Sequence, residues 1–95
     1  MTKEEKILTL HPQGKRGVNI KKEKYDQIRE YILSVLNERK DITFNLLSDK
    51  AVEELSDTFD GKVLWYLVTV KLDLEARGEI ERITEVGGHK LRIKK

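Results

Sequence analysis

Apolar residues recur at steps of three and four through two long windows of the chain, and a two-residue alternation takes over near its end. The strongest window runs from Lys62 to Arg77. One apolar face carries Val63, Leu67, Val70 and Leu74, and a second carries Trp65, Val68, Leu72 and Ala76. Between them lie a polar strip of Lys62, Tyr66, Thr69, Asp73 and Arg77 and a shorter one of Lys71 and Glu75. A helix apolar on two faces is expected to pack on two sides. Gly78 follows it, suited to the left-handed position after a helix end. The other long window, Lys22 to Arg39, places Tyr25, Ile28, Ile32, Val35 and Leu36 on one face, with Leu33 widening it. A shorter helix is expected from Phe44 to Leu55 or Ser56, with Phe44, Leu47, Ala51 and Leu55 inward and Val52 beside them. Thr43 is a fair N-cap for it and Asp60 for the helix that follows. Ser56 to Gly61 is rich in turn residues, with Phe59 expected to plug the core from the loop.

Beyond Gly78 the pattern is β. Glu79 to Val86, Gly87-Gly88 and His89 to Lys94 read as a hairpin with the two glycines as its turn. In the second strand Leu91 and Ile93 point one way and Lys90, Arg92 and Lys94 the other, whereas Ile80 and Ile83 differ in parity. Ile42-Thr43 could form a very short strand, and so could Lys6 to His11. His11 to Gly17, HPQGKRG, holds the only proline and two glycines and reads as a loop. The chain divides into an N-terminal arm, residues 1–20, and one domain, residues 21–95.

The totals narrow the function classes. With 95 residues, 38% apolar and 38% charged, there is material for one small core. Cysteine is absent, which excludes disulfides and thiolate metal sites. No run approaches the ~18 apolar residues of a membrane span, and the first residues lack the apolar stretch of a signal peptide. A cytoplasmic protein that does not enter membranes is expected. His11 and His89 are the only histidines and have no metal-ligand spacing; Ser34, Ser48 and Ser56 sit in no nucleophile context. No catalytic, metal or cofactor site is expected, and no enzyme.

Net charge is +2, unevenly spread: +4 over residues 1–24, −4 over 25–78 and +2 over 79–95. Lys90, Arg92, Lys94 and Lys95 share the last ten residues with no acid. Such an end attracts polyanions or merely solvates a small domain. Lys15 and Arg16, between Gly14 and Gly17, could grip a phosphate, or belong to a plain arm.

Three helices, a short strand after the first and a closing hairpin have the order of a winged helix-turn-helix, an α+β fold whose C-terminal hairpin is the wing. Lys71 to Arg82, KLDLEARGEIER, resembles the junction of recognition helix and wing in MarR-like bacterial regulators. Taken together, HPQGKRGVNI, KYDQIR, ITF, FDGKVLWY and TVKLDLEARGEIER resemble a small bacterial family of unknown function with a winged-helix-like domain of this length. That family resemblance implies a fold and supplies no established activity; the likeness to winged-helix regulators is what implies a DNA-binding protein acting in transcription regulation. Lys62, Tyr66, Thr69 and Asp73 would face the major groove of double-stranded DNA, with Trp65 bordering them. Lys90 and Arg92 on the wing would hold the backbone, and Lys15 and Arg16 would add contacts from the arm. Against it, the third helix lacks the arginines, asparagines and glutamines that usually read bases, and Asp49, Glu53 and Glu54 make the second helix acidic. The alternative is a protein-interaction or dimerisation module that keeps the fold without DNA. Trp65, Val68 and Leu72 would then form the partner surface, unless Ile7, Leu8 and Leu10 of the arm cover it.

Overall fold

The computed structural model describes residues 5–94. The chain forms, in order, β1 (Lys6–Leu8), β2 (Asn19–Lys21), α1 (Lys22–Arg39), β3 (Asp41–Thr43), α2 (Phe44–Leu55), α3 (Val63–Arg77), β4 (Ile80–Glu85) and β5 (Gly88–Ile93). It is a mixed α+β fold of three helices and two small antiparallel sheets. No helix among the described residues is long and apolar enough to cross a membrane.

Each helix turns the stripe its periodicity defines toward the core, although Phe44 and Leu55 of α2 are only partly buried and Val52 beside them is exposed. Tyr25, Ile28, Ile32, Val35 and Leu36 of α1 are buried, as are Leu47 and Ala51 of α2 and Val63, Leu67, Val70 and Leu74 of α3. Phe59 enters the same core from the α2–α3 loop. Thr43 caps α2, its Oγ1 accepting from the Leu46 N–H at 3.2 Å. The start of α3 is different from expectation. Lys62 occupies its cap position without a side-chain cap, while Asp60 is fully exposed and 3.9 Å from Lys24. Gly78 ends α3 at φ 77°, where its lack of Cβ removes the steric cost of the left-handed region.

The three-stranded sheet has the order β3-β5-β4. Leu91 pairs with Ile42 on one side and Arg82 on the other, and Ile80 pairs with Ile93. Ile42, Ile80 and Leu91 are buried against the helices, which gives this small sheet the covered face it needs. Glu85 pairs with Gly88, so the hairpin turn is Val86-Gly87 and not the Gly-Gly pair; Gly88 begins β5. Of the two turn residues only Gly87 has positive φ, 83°, which one glycine suffices to supply.

The arm pairs with the stretch that leads into α1. Ile7 lies opposite Ile20 in β1–β2, a partner strand that the sequence pattern does not mark. The loop between them is closed where the Thr9 N–H donates to the Val18 carbonyl at 2.9 Å. Thr9 Oγ1 accepts from the Val18 N–H at 3.1 Å, which lets this polar side chain be buried. Ile20 joins the main core, with Ile7 packed against it.

Candidate functional site

The outward side of α3 is the most distinctive surface of the molecule. Around the helix, Leu64, Val68, Leu72, Trp65 and Thr69 follow one another on the side turned away from the core stripe. Trp65 is 47% exposed, Leu64 48% and Val68 38%, while Leu72 is half-buried. Leu10, Val18, Thr69 and Leu72 line a groove of about 110 Å³ where the arm meets the end of this stripe. The arm therefore reaches Leu72 but leaves Trp65 and Val68 open. Six of the nine large apolar side chains that stay exposed among the described residues belong to α3 or the arm: Leu8, Leu10, Val18, Leu64, Trp65 and Val68.

This face carries no exposed charge between Val63 and Ala76, because every charged side chain in that span is folded inward. The Lys71 and Glu75 side chains are 5% and 8% exposed, and that of Asp73 is fully buried. The winged-helix resemblance implies that Asp73 faces a groove, and its burial corrects that. Its carboxylate accepts from the Tyr25 hydroxyl, from Arg77 Nε at 2.8 Å and from the Leu10 N–H at 2.8 Å. Burial, and then this carboxylate, push the Tyr25 hydroxyl far above the ordinary tyrosine range. One side chain thus ties α1, α3 and the arm together.

Lys71 lies 3.4 Å from Glu75 and 3.4 Å from His89 Nε2, with its ammonium 4.8 Å from the centroid of the Phe44 ring. Phe44 and His89 stack at 5.3 Å, and Arg82 Nε donates to Glu75 at 3.0 Å. Burial lowers the Lys71 pKa, partly offset by Glu75. Burial also lowers that of His89, helped by the Lys71 and Arg82 charges.

Of the residues expected to meet DNA, Thr69 and Arg16 line one groove at the end of the outward face of α3. Lys62 is exposed at the head of α3. Tyr66 is half-buried and packs edge-on to Phe59 at 5.0 Å and Trp65 at 4.9 Å. The Thr69 hydroxyl donates to the Trp65 carbonyl of its own helix at 2.8 Å. Lys90 and Arg92 do face acids, contrary to the one-sign reading of the chain end. β5 is the middle strand, so acids of β3 and β4 flank it: Lys90 lies 3.8 Å from Asp41 and 3.3 Å from Glu85, and Arg92 Nε is 2.5 Å from Glu81. Lys95 lies outside the described residues. Lys15 and Arg16 are exposed in the arm loop and make no ion pair among the described residues. Lys15 borders a cleft of about 410 Å³ with Leu72, Glu75 and Arg82. No three metal-ligating side chains gather among the described residues.

Comparison with protein families matches residues 6–91, nearly the whole chain, to a family of unknown function (DUF6958). The chain belongs to that family. Neither the curated proteins nor the solved structures yield a match. In this member of the family, sequence periodicity identified Trp65, Val68 and Leu72 but missed Leu64, which precedes Val68 by four and therefore adjoins it. It also missed Leu10 and Val18, which no local pattern links to α3.

Proposed function

We propose that this protein is a non-enzymatic interaction module on a winged-helix fold, docking a protein partner through the outward face of α3. The fold reading is supported by the helix-strand-helix-helix-hairpin order from α1 to β5 and by the sheet order β3-β5-β4, together with the resemblance of the α3–β4 junction to winged-helix regulators. In such a fold α3 is the helix that would enter a DNA groove.

The observation that carries the docking reading is the chemistry of that helix face. Leu64, Trp65 and Val68 are exposed where a base-reading helix needs hydrogen-bond donors and acceptors. Aromatic anchors and a lack of charge mark the centres of protein interfaces. Contiguous apolar surface of this kind is uncommon on a monomer without a partner. The wing offers little net positive charge, since Lys90 and Arg92 are each compensated across the sheet. Lys15, Arg16 and Lys62 are what favour the DNA-binding reading, and three cations supply only a short phosphate footprint.

Two measurements separate the readings. A photo-crosslinking amino acid at position 68 should trap a protein at one defined mass, and a duplex followed by fluorescence anisotropy at ~50 mM salt should show no binding. Salt-sensitive duplex binding that disappears in Val68→Asp would overturn the docking proposal.

A further inference from the structure

The strip on α3 has a property that a generic docking surface lacks: it is complementary to itself. Trp65 projects from it, and the groove lined by Leu10, Val18, Thr69 and Leu72 opens about 10 Å further along the same helix, at 1.5 Å per residue. Val68 and Thr69 stand midway between projection and groove. A two-fold axis passing near them, with two α3 helices antiparallel, brings Trp65 of each copy to the level of Leu72 of the other. Both tryptophans then find a groove at once. The contact closes after two copies, as an isologous interface must.

We infer that the partner of this face is a second copy of the chain, joined in a symmetric dimer in which Trp65 of each copy fills the Leu10–Val18–Leu72 groove of the other; the inference rests on the docking reading above. Three observations on this surface fit a second copy. The span from Val63 to Ala76 exposes no charge, so two identical faces meet without opposing like charges. Arg16 borders the groove and is exposed. There its guanidinium can lie over an incoming indole, an attraction that needs no acidic partner. Finally, the exposed apolar side chains are concentrated on α3 and the arm beside it, on both sides of the postulated axis.

The test uses the intact chain. Trp65 is the only tryptophan, so the emission follows the surroundings of this one side chain. Sedimentation velocity from ~1 to ~200 μM should show a monomer–dimer equilibrium, with tryptophan emission shifting to the blue as the dimer forms. Val68 is exposed, so Val68→Asp and Val68→Lys should keep the circular dichroism of the parent. Each should weaken self-association by at least ~100-fold, because position 68 meets its own counterpart near the axis. Mixing the two variants should restore a dimer. A chain that stays monomeric at every concentration overturns the inference. So does a dimer that Val68→Asp leaves intact, or one whose formation does not move the Trp65 emission. A monomer that still crosslinks a different protein at position 68 overturns the second copy but leaves the docking reading standing; duplex binding lost in Val68→Asp overturns both.

Discussion

Replacing Asp73 tests the claim that one buried carboxylate fastens the arm to the helical core. Its side chain is fully buried and accepts from the Tyr25 hydroxyl, the Leu10 N–H and Arg77 Nε. Alanine leaves the Tyr25 and Leu10 donors without an acceptor, at about 1–3 kcal/mol each. Arg77, whose side chain is 35% exposed, can turn to water and adds little. Asp73→Ala should therefore cost about 3–4 kcal/mol. That is a large share of the ~5–15 kcal/mol that holds a domain together. Asparagine keeps one acceptor but loses the charge that strengthens these bonds, so Asp73→Asn should cost ~1–2 kcal/mol. At about 4–8 °C per kcal/mol for a domain of this size, the asparagine variant should melt roughly 5–15 °C below the parent. Urea unfolding followed by circular dichroism gives the stability, and hydrogen exchange at the Leu10 amide gives the local effect. That amide should lose protection in Asp73→Ala beyond the global loss of stability. An Asp73→Asn variant within ~0.5 kcal/mol of the parent, or a Leu10 amide that exchanges equally fast in the parent and Asp73→Ala, would refute the account.

Glu75→Gln removes the counter-charge of the nearly buried Lys71 and should cost about 3 kcal/mol; adding Lys71→Met should recover at least half of that loss in a denaturant titration, since no buried cation then remains. The lowered pKa of His89 means the unfolded chain binds its proton first as pH falls. The His89 contribution is thus complete above the ordinary histidine pKa of 6.5 and is lost as pH drops below it, so the midpoint of unfolding should fall on acidification and His89→Asn should flatten that dependence. A Cβ at Gly17 would sit 1.6 Å from the Thr9 carbonyl oxygen. Gly17→Ala should accordingly destabilise by ~1–3 kcal/mol or more, read as a lower melting temperature, because backbone must move. Lys90→Ala with Arg92→Ala should change stability by less than ~1 kcal/mol, both being exposed enough for solvent to screen their ion pairs.

Local periodicity alone determined the three helices, the Thr43 cap, the Gly78 stop and the closing hairpin. A helix that must bury one face against a core announces that face every three to four residues, and turn chemistry is equally local. The sequence by itself also marked Trp65, Val68 and Leu72 as a second apolar face. Tertiary structure decided what lies around that face, because those facts depend on which distant segments meet. The polar strip assigned to α3 was split: Thr69 stayed at the surface while Asp73 was drawn inside by Tyr25 from α1 and Leu10 from the arm, 48 and 63 residues away. The basic chain end was compensated only because β5 became the central strand, between Asp41 of β3 and Glu81 and Glu85 of β4. No periodicity encodes strand order, since pairing is fixed by non-local contacts. The face of α3 is apolar by sequence. Its freedom from charge, and the groove beside it, arise only when the fold buries Lys71, Asp73 and Glu75 and lays the arm against Leu72.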